Sequence, residues 1–385
     1  MEPTEWSNIS HVCYQSSSVI DLTSHLRLAE SFAYSKSDLF YIAVLLPFLC
    51  SAGVILNCSF LFVVHRVPTM KTITNVYLVN VAIADVLFLL AVLVFKLSKL
   101  RASPVVRDVS GLGPAACIIL YTVANIARFA SLGFISAVTW ERFCAVCRPY
   151  SRRSTSSYAI TVSITIWLLA TALSATIIPA YGKYFEACVL WPDSPDFDSW
   201  PSRVLLIGQF AQWHSSYSNI AQTIPFFITF IVNTYFFFRI IRGLDAAMMH
   251  RTWGGRRSET DSALRSQTIR MLVVNGVAYF LCLALFQFLS LSKTIVVLTK
   301  SKMLLSVKQR KILLDAGRTL EYLNSVINPV IYTVMSRRYR DAFKAAFKCG
   351  RYLQLKRVRA ATMSNSFPLG TTITNTPSRT RNTSL

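Results

Sequence analysis

The chain has 385 residues, of which 53% are hydrophobic and only 15% are charged. Soluble domains usually carry about 25% charged residues. This composition, with a mean hydropathy of +0.44, therefore excludes an ordinary soluble protein and indicates an integral membrane protein. The 40 lysines and arginines outnumber the 18 acidic residues, but they flank apolar stretches. We expect membrane lipid and a cytosolic protein as partners, and no nucleic acid.

A polar N-terminal segment is followed by apolar stretches that are each long enough to cross a bilayer as a helix. They are predicted at about 39–65, 73–95, 113–140, 158–179, 217–241, 268–292 and 312–335. Basic residues follow the first, third and fifth stretches and fill the tail, which predicts a cytoplasmic C-terminus. Because seven is odd, the N-terminus is then extracellular. The basic residues after the second and sixth stretches, from Lys96 and from Lys293 onwards, would face outward against this trend.

These stretches divide the chain into four parts. We predict an extracellular segment at 1–38, a seven-helix domain at 39–336, an amphipathic membrane-surface helix at 337–349 and a disordered cytoplasmic tail at 350–385. The tail is rich in serine and threonine, so we expect it to be phosphorylated.

Short motifs predict modifications near both ends of the chain. Asn8 begins a glycosylation sequon, which requires an extracellular N-terminus. Cys349, directly after the surface helix, is a candidate palmitoylation site, with a free thiol as the alternative. The final Thr383-Ser384-Leu385 matches a PDZ-binding C-terminus, although so short a pattern often occurs by chance. None of the nine cysteines has the companions of a metal site, so no metal is predicted.

An acidic residue and a proline within the apolar stretches are functional candidates. Asp85 is the only acid of the second stretch, and a carboxylate near the middle of a membrane is costly without a partner. In the seventh stretch, Pro329 frees a backbone carbonyl and predicts a local bend.

Several motifs occur in order on successive stretches. They are Asp85, Glu141-Arg142-Phe143, Trp167, Pro225 and the Asn-Pro-x-x-Tyr sequence at 328–332. With them, residues 39–349 resemble the rhodopsin-like (class A) G-protein-coupled receptors. The sequence around Tyr77–Asp85 and Tyr322–Tyr332 is most similar to peptide-hormone receptors such as the thyrotropin-releasing-hormone and neuromedin receptors.

The resemblance implies an all-α membrane protein, a bundle of seven transmembrane helices with a short amphipathic eighth helix. It further implies a plasma-membrane receptor for an extracellular ligand, a heterotrimeric G protein and arrestin as partners, and no enzymatic activity. No cofactor is expected beyond a bound sodium ion. Two alternatives stay open: a receptor of the same fold for a small anionic ligand, and a membrane transporter, although the stretches show no inverted halves.

Candidate site residues follow from the resemblance. A sodium and water pocket would contain Asp85, Asn57, Ser131, Asn324 and Asn328. Coupling to the G protein and switching would use Glu141, Arg142, Pro329 and Tyr332, with Glu141 holding Arg142 at rest as an ion pair. Ligand binding is assigned to Arg318, Arg128, Asn125, Glu321 and Gln287. A disulfide between Cys117 and Cys188 is favoured because both lie on the oxidising side, whereas Cys13 has no obvious partner.

Arg128 has two interpretations of equal weight, an internal ion pair with Glu321 or a contact to the ligand. The place where amine receptors of this family carry an acid is occupied by Ala124, which argues against an amine ligand. The cationic outer loops favour a ligand with an acidic group. The alternative of nearly equal weight is that they contact lipid headgroups or balance Asp193, Asp196 and Asp198 in the neighbouring loop.

The sixth stretch departs from the family pattern. It lacks the usual tryptophan and proline, since Leu283 and Leu285 stand in their places. We therefore expect a straighter helix, with Asn275-Gly276 as a softer point.

Overall fold

The computed structural model describes residues 18–148, 155–251, 259–301 and 305–347. Its body is a bundle of seven long helices, named here in chain order. They are Lys36–Arg66, Ile73–Ala102, Gly113–Cys147, Ser156–Ala180, Gln212–Arg251, Glu259–Thr299 and Val307–Met335. The first six are long and apolar enough to cross a membrane. The seventh has the length, but the charges of Asp315, Arg318 and Glu321 make it more polar.

The seven predicted helices are all present, and several run further than predicted. The second helix continues to Ala102, so the prediction that Lys96 belongs to an outer loop is wrong. Lysine and leucine are good helix formers, and the helix ends only at Ser103, whose backbone is extended because Pro104 follows. Lys96 therefore projects from a helix toward the interior of the bundle.

Side-chain caps fix where four of these helices begin, and the first helix starts with a capping box of Ser35 and Asp38. Thr72 and Thr155 accept hydrogen bonds from backbone amides in the first turns of the second and fourth helices. Ser306 and Gln309 form a reciprocal capping box at the start of the seventh helix.

The third helix is the centre of the bundle, because it packs against the second, fourth, fifth and sixth helices. A hydrogen bond of 2.8 Å from the indole Nε1 of Trp167 to Oδ1 of Asn80 joins the fourth helix to the second. The sixth helix runs without interruption through Asn275 and Gly276. A Cβ atom at Gly276 would overlap the ring of Phe237, so this glycine lets the fifth and sixth helices approach closely.

A small sheet, which the sequence did not predict, adds β-structure to the predicted all-α fold. Strands β1 (Ser18–Asp21) and β2 (Lys183–Leu190) run parallel, and β2 pairs antiparallel with β3 (Arg203–Gly208). Beside it, a short helix (Leu26–Glu30) buries Ala29 in the same apolar cluster as residues of β2 and β3. Part of the N-terminal segment is therefore folded against the loop between the fourth and fifth helices.

The surface helix spans Arg337–Phe347. It buries Tyr339, Ala342 and Ala346 against the bundle, while Phe347 is 62% exposed. The hydroxyl of Tyr339 donates a hydrogen bond to Asn75 of the second helix, which ties the surface helix to the bundle. Asn8, Cys13, Cys349 and the predicted tail lie outside the described residues.

Candidate functional site

A cavity of about 470 Å³ opens among the second, third, fifth, sixth and seventh helices and the end of the fourth. Its wall is aromatic in part and carries several charged and amide side chains. These are Lys96, Asn125, Arg128, Asn219, Gln222, Arg318 and Glu321. Four of the five residues predicted for ligand binding are thus brought together on one surface.

Gln287, the fifth residue predicted for ligand binding, does not line the cavity, so this prediction is wrong. Its side chain is buried, with 2% of the residue exposed, and it is not part of the cavity wall. The neighbouring Phe286 faces the cavity instead. Because a helix turns by about 100° per residue, the next side chain points into the packing between helices.

Arg128 and Glu321 form an ion pair at the wall of this cavity. The distance from Nε of Arg128 to Oε1 of Glu321 is 2.5 Å. The guanidinium also donates from Nη1 to Asn125 at 2.8 Å and to Gln222 at 3.2 Å, and it lies over the ring of Phe88. One charged group therefore joins the third, fifth and seventh helices.

Asp85 lies deeper in the bundle and is only 2% exposed. Its Oδ2 accepts a hydrogen bond of 2.7 Å from Nδ2 of Asn328, and Asn57 donates to the Ser325 carbonyl at 2.7 Å. A small cavity of about 20 Å³ touches Asp85, Ser131 and Asn324, which is room for about one water molecule. The structure therefore brings Asn328, Ser131 and Asn324 to Asp85, while Asn57 bonds to the seventh helix through the Ser325 carbonyl.

Three amide oxygens near Asp85 indicate what this pocket binds. The Oδ1 atoms of Asn57, Asn324 and Asn328 are buried and find no hydrogen-bond partner among the described residues. Buried acceptors of this kind are usually satisfied by water or a cation. The same small cavity also touches Arg128 and Glu321, whose opposite charges are paired with each other.

At the opposite end of the bundle, Glu141 and Arg142 pair as predicted. Nε of Arg142 lies 2.8 Å from Oε2 of Glu141, and the hydroxyl of Thr74 donates to the same carboxylate oxygen at 2.8 Å. The second helix therefore helps to hold the pair on the third.

Tyr332 is packed close to that end as well. It is 1% exposed, and its ring centroid lies 5.3 Å from that of Phe60 and 5.6 Å from that of Tyr339. The seventh helix carries Pro329 internally without ending there.

The predicted bond between Cys117 and Cys188 is not formed. Cys117 is a buried free thiol, whereas Cys188 is in a disulfide whose partner lies outside the described residues. Cys117 packs near Tyr184 of β2, and burial raises the pKa of the Tyr184 phenol. Cys188 comes four residues later, about 13 Å along the strand, where it pairs with Val19 of β1. The sheet thus carries Cys188 away from the third helix.

Several wall residues were missed by sequence reasoning. Gln222 of the fifth helix completes the hydrogen bonds of Arg128. Tyr121 packs against Phe95 with a centroid distance of 4.7 Å and against Tyr181 at 5.1 Å. A hydroxyl of the third helix, on Thr122, contacts the phenol of Tyr181 at 3.1 Å. Nothing in an apolar stretch distinguishes these positions, because their role depends on which helix face meets the cavity.

Residues 56–332 match the family model described as 7 transmembrane receptor (rhodopsin family). The chain belongs to this family, and it is therefore a multi-pass membrane receptor and not an enzyme.

Similar curated proteins include somatostatin receptor type 2 of Mus musculus, which is 24% identical over 77% of this chain and 73% of that receptor. Neuropeptides B/W receptor type 2 of Homo sapiens is 24% identical over 80% of this chain and 87% of its own length. The Allatostatin-A receptor of Bombyx mori is 25% identical over 80% of each chain.

Substitution of each of the two cysteines tests which of them forms a disulfide. Cys117→Ser should leave the thermal stability of the purified receptor near that of the wild type, because no bond is lost. Cys188→Ser should lower it clearly, since losing a native disulfide costs about 2 to 5 kcal/mol. Thermal unfolding and surface expression measure the effect of each substitution. Equal losses of stability from the two substitutions would support the predicted disulfide between Cys117 and Cys188.

The Arg128 pair makes a second test, by a double-mutant cycle. Arg128→Met or Glu321→Met alone should cost about 3 to 5 kcal/mol of stability, because each leaves an uncompensated buried charge. The double substitution should recover most of that loss. Thermal unfolding of all four proteins gives the coupling, and additive losses would show that the two charges do not stabilise each other.

Proposed function

We propose that this chain is a plasma-membrane receptor that binds an extracellular peptide in the 470 Å³ cavity and activates heterotrimeric G proteins. The cavity is the observation that carries the proposal. Its volume is within the range of about 300 to 1,000 Å³ typical of ligand sites, and its wall mixes aromatic surface with a few polar groups. The relatives are named as receptors for somatostatin, neuropeptides B/W and allatostatin-A, which supports a peptide.

The outer structure suits a peptide that enters from the N-terminal side. The sheet that includes β1 and β2 sits beside the cavity, since Ile207 of β3 and Tyr184 of β2 pack near Tyr121. A peptide longer than the cavity would extend across this sheet. This orientation places the N-terminus outside the cell and makes glycosylation of Asn8 part of the proposal.

The inner end of the bundle provides the coupling surface of the proposed receptor. Arg142 is paired with Glu141, which also accepts a hydrogen bond from Thr74. Arg142 would be released toward the G protein, and Pro329 and Tyr332 would rearrange with it. Arrestin would follow on a phosphorylated tail. Palmitoylation of Cys349 and a PDZ contact through Thr383-Ser384-Leu385 complete the proposed partners.

The Asp85 pocket would hold water or a sodium ion. A carboxylate, the hydroxyl of Ser131 and buried amide oxygens form the all-oxygen donor set that a hard cation prefers. Arg128 and Glu321 line the same cavity as an ion pair, so their charges offset each other at this position.

The experiment is a screen of a peptide library on cells that express the receptor, with calcium and cyclic-nucleotide readouts. A peptide should evoke a response that is absent in untransfected cells. Reconstituted vesicles test the transporter alternative, because solute flux without ligand would contradict the receptor function. A response to small organic anions and to no peptide would favour the alternative ligand class.

Basal nucleotide exchange gives a prediction that needs no ligand. Arg142→Ala should abolish exchange on a purified heterotrimeric G protein, since it removes the proposed contact. Glu141→Gln should raise exchange severalfold, because it weakens the ion pair that holds Arg142 at rest. Unchanged exchange in Arg142→Ala would remove that residue from the coupling surface.

A further inference from the structure

The charges on the cavity wall do not balance. Three cationic side chains, of Lys96, Arg128 and Arg318, face the cavity together with one carboxylate, that of Glu321. The Glu321 carboxylate already forms an ion pair with Arg128. Among the described residues, the wall therefore carries an excess of positive charge that sits on Lys96 and Arg318.

Neither of these two cations has an ion-pair partner within the part of the chain that the structure describes. Lys96 is exposed to the repulsive charges of Arg318 and Lys99 and to the attractive charges of Asp315 and Asp38. Asp38, however, is held by Lys311 at 2.8 Å and by its own helix cap. The second and seventh helices thus bring two like charges to one wall of low dielectric, which raises their mutual repulsion.

Other cations of the outer face are already engaged. Nζ of Lys99 donates to the Val106 carbonyl at 2.8 Å, and Arg107 lies over the ring of Phe32. The cavity also offers no free carboxylate to a cationic ligand among the described residues, because Glu321 is paired with Arg128. Ala124 lines the wall at the place where an acid could hold such a ligand. The charge distribution selects against cations and for anions.

We propose that the cavity binds its ligand through a negatively charged group, a carboxylate or a sulfate, held between Lys96 and Arg318. This inference rests on the proposed function, since it names the chemistry of the ligand for the same cavity. The fork of the Arg318 guanidinium matches the two oxygens of such a group, and Lys96 adds a point charge. The anion relieves the repulsion between the two cations. Arg128 is less available to the ligand because it is paired with Glu321.

The first arm of the test measures the potential in the cavity without any ligand or signalling. Ala124→Cys places a reporter thiol on the wall of the full-length receptor, purified in detergent. Its thiolate forms a mixed disulfide with a methanethiosulfonate reagent and releases methanesulfinate. The anionic 2-sulfonatoethyl reagent and the cationic 2-(trimethylammonium)ethyl reagent are compared by peptide mass spectrometry over time, against the parent without the reporter.

After correction for the rates on free cysteine, the anionic reagent should react at least about tenfold faster than the cationic one. Lys96→Gln with Arg318→Gln in the reporter background should remove this preference, whereas Lys293→Gln, an exposed cation that does not line the cavity, should keep it. Added salt should reduce the preference in the reporter receptor itself, which tests the idea even if the double variant fails to fold. Equal rates, or a faster cationic reagent, would overturn the proposal.

The second arm identifies the source of the anion in cells. Peptide sets with free C-terminal carboxylates, with acidic side chains, with sulfated tyrosine and with neutral amidated ends are compared on wild-type and Arg318→Gln receptors. An acid-bearing set should be active and should lose at least about tenfold in potency in the variant. Activity confined to neutral or cationic peptides would overturn the anion site but keep the peptide receptor. An anionic reagent preference without any peptide response would contradict the proposed function and support the anion site.

Discussion

The ion pair between Arg128 and Glu321 is the constraint on which the interior of this receptor depends. A guanidinium stays charged at every physiological pH, so Arg128 cannot be buried without a counter-charge. Glu321 supplies it, and Asn125 and Gln222 accept the remaining hydrogen bonds. These partners come from three helices, so the need to neutralise one charge fixes how the third, fifth and seventh helices meet. The same pairing decides which other charges remain available to a ligand.

The pair also forms a shared wall between two cavities. Phe88, Arg128 and Glu321 line both the large outer cavity and the small cavity that touches Asp85. A ligand that changed the balance between Arg128 and Glu321 would therefore change the electrostatic field at Asp85 without touching it. Energetic coupling of this kind requires an element that both sites bias. The ion pair has the position that such an element requires, because each cavity contacts both of its members.

Sequence reasoning predicted the parts of the structure that depend on length, apolar content and local motifs. The seven helices, the position of Asp85 and the pairing of Glu141 with Arg142 follow from features that lie within one stretch of the chain. The disulfide and the sheet did not follow, because they depend on how β1 meets β2 over more than 160 residues of sequence. Gln287 was wrong by one position, since an apolar stretch does not reveal which helix face meets the cavity. The sequence predicts a loop at Lys96 because its charge ends the apolar stretch, whereas the helix itself continues to Ala102.

The sixth helix shows what the departures from the family pattern mean physically. It has no proline and is one continuous helix over Glu259–Thr299, so the proline that marks a kink in its relatives is replaced by unbroken helical backbone. Phe237 lies so close to Gly276 that the fifth and sixth helices interlock at that level. A displacement of this helix at its N-terminal end would pivot about this contact. Such a motion would carry Phe286, on the same helix, across the cavity wall and so link the ligand cavity to the inner surface through one continuous helix.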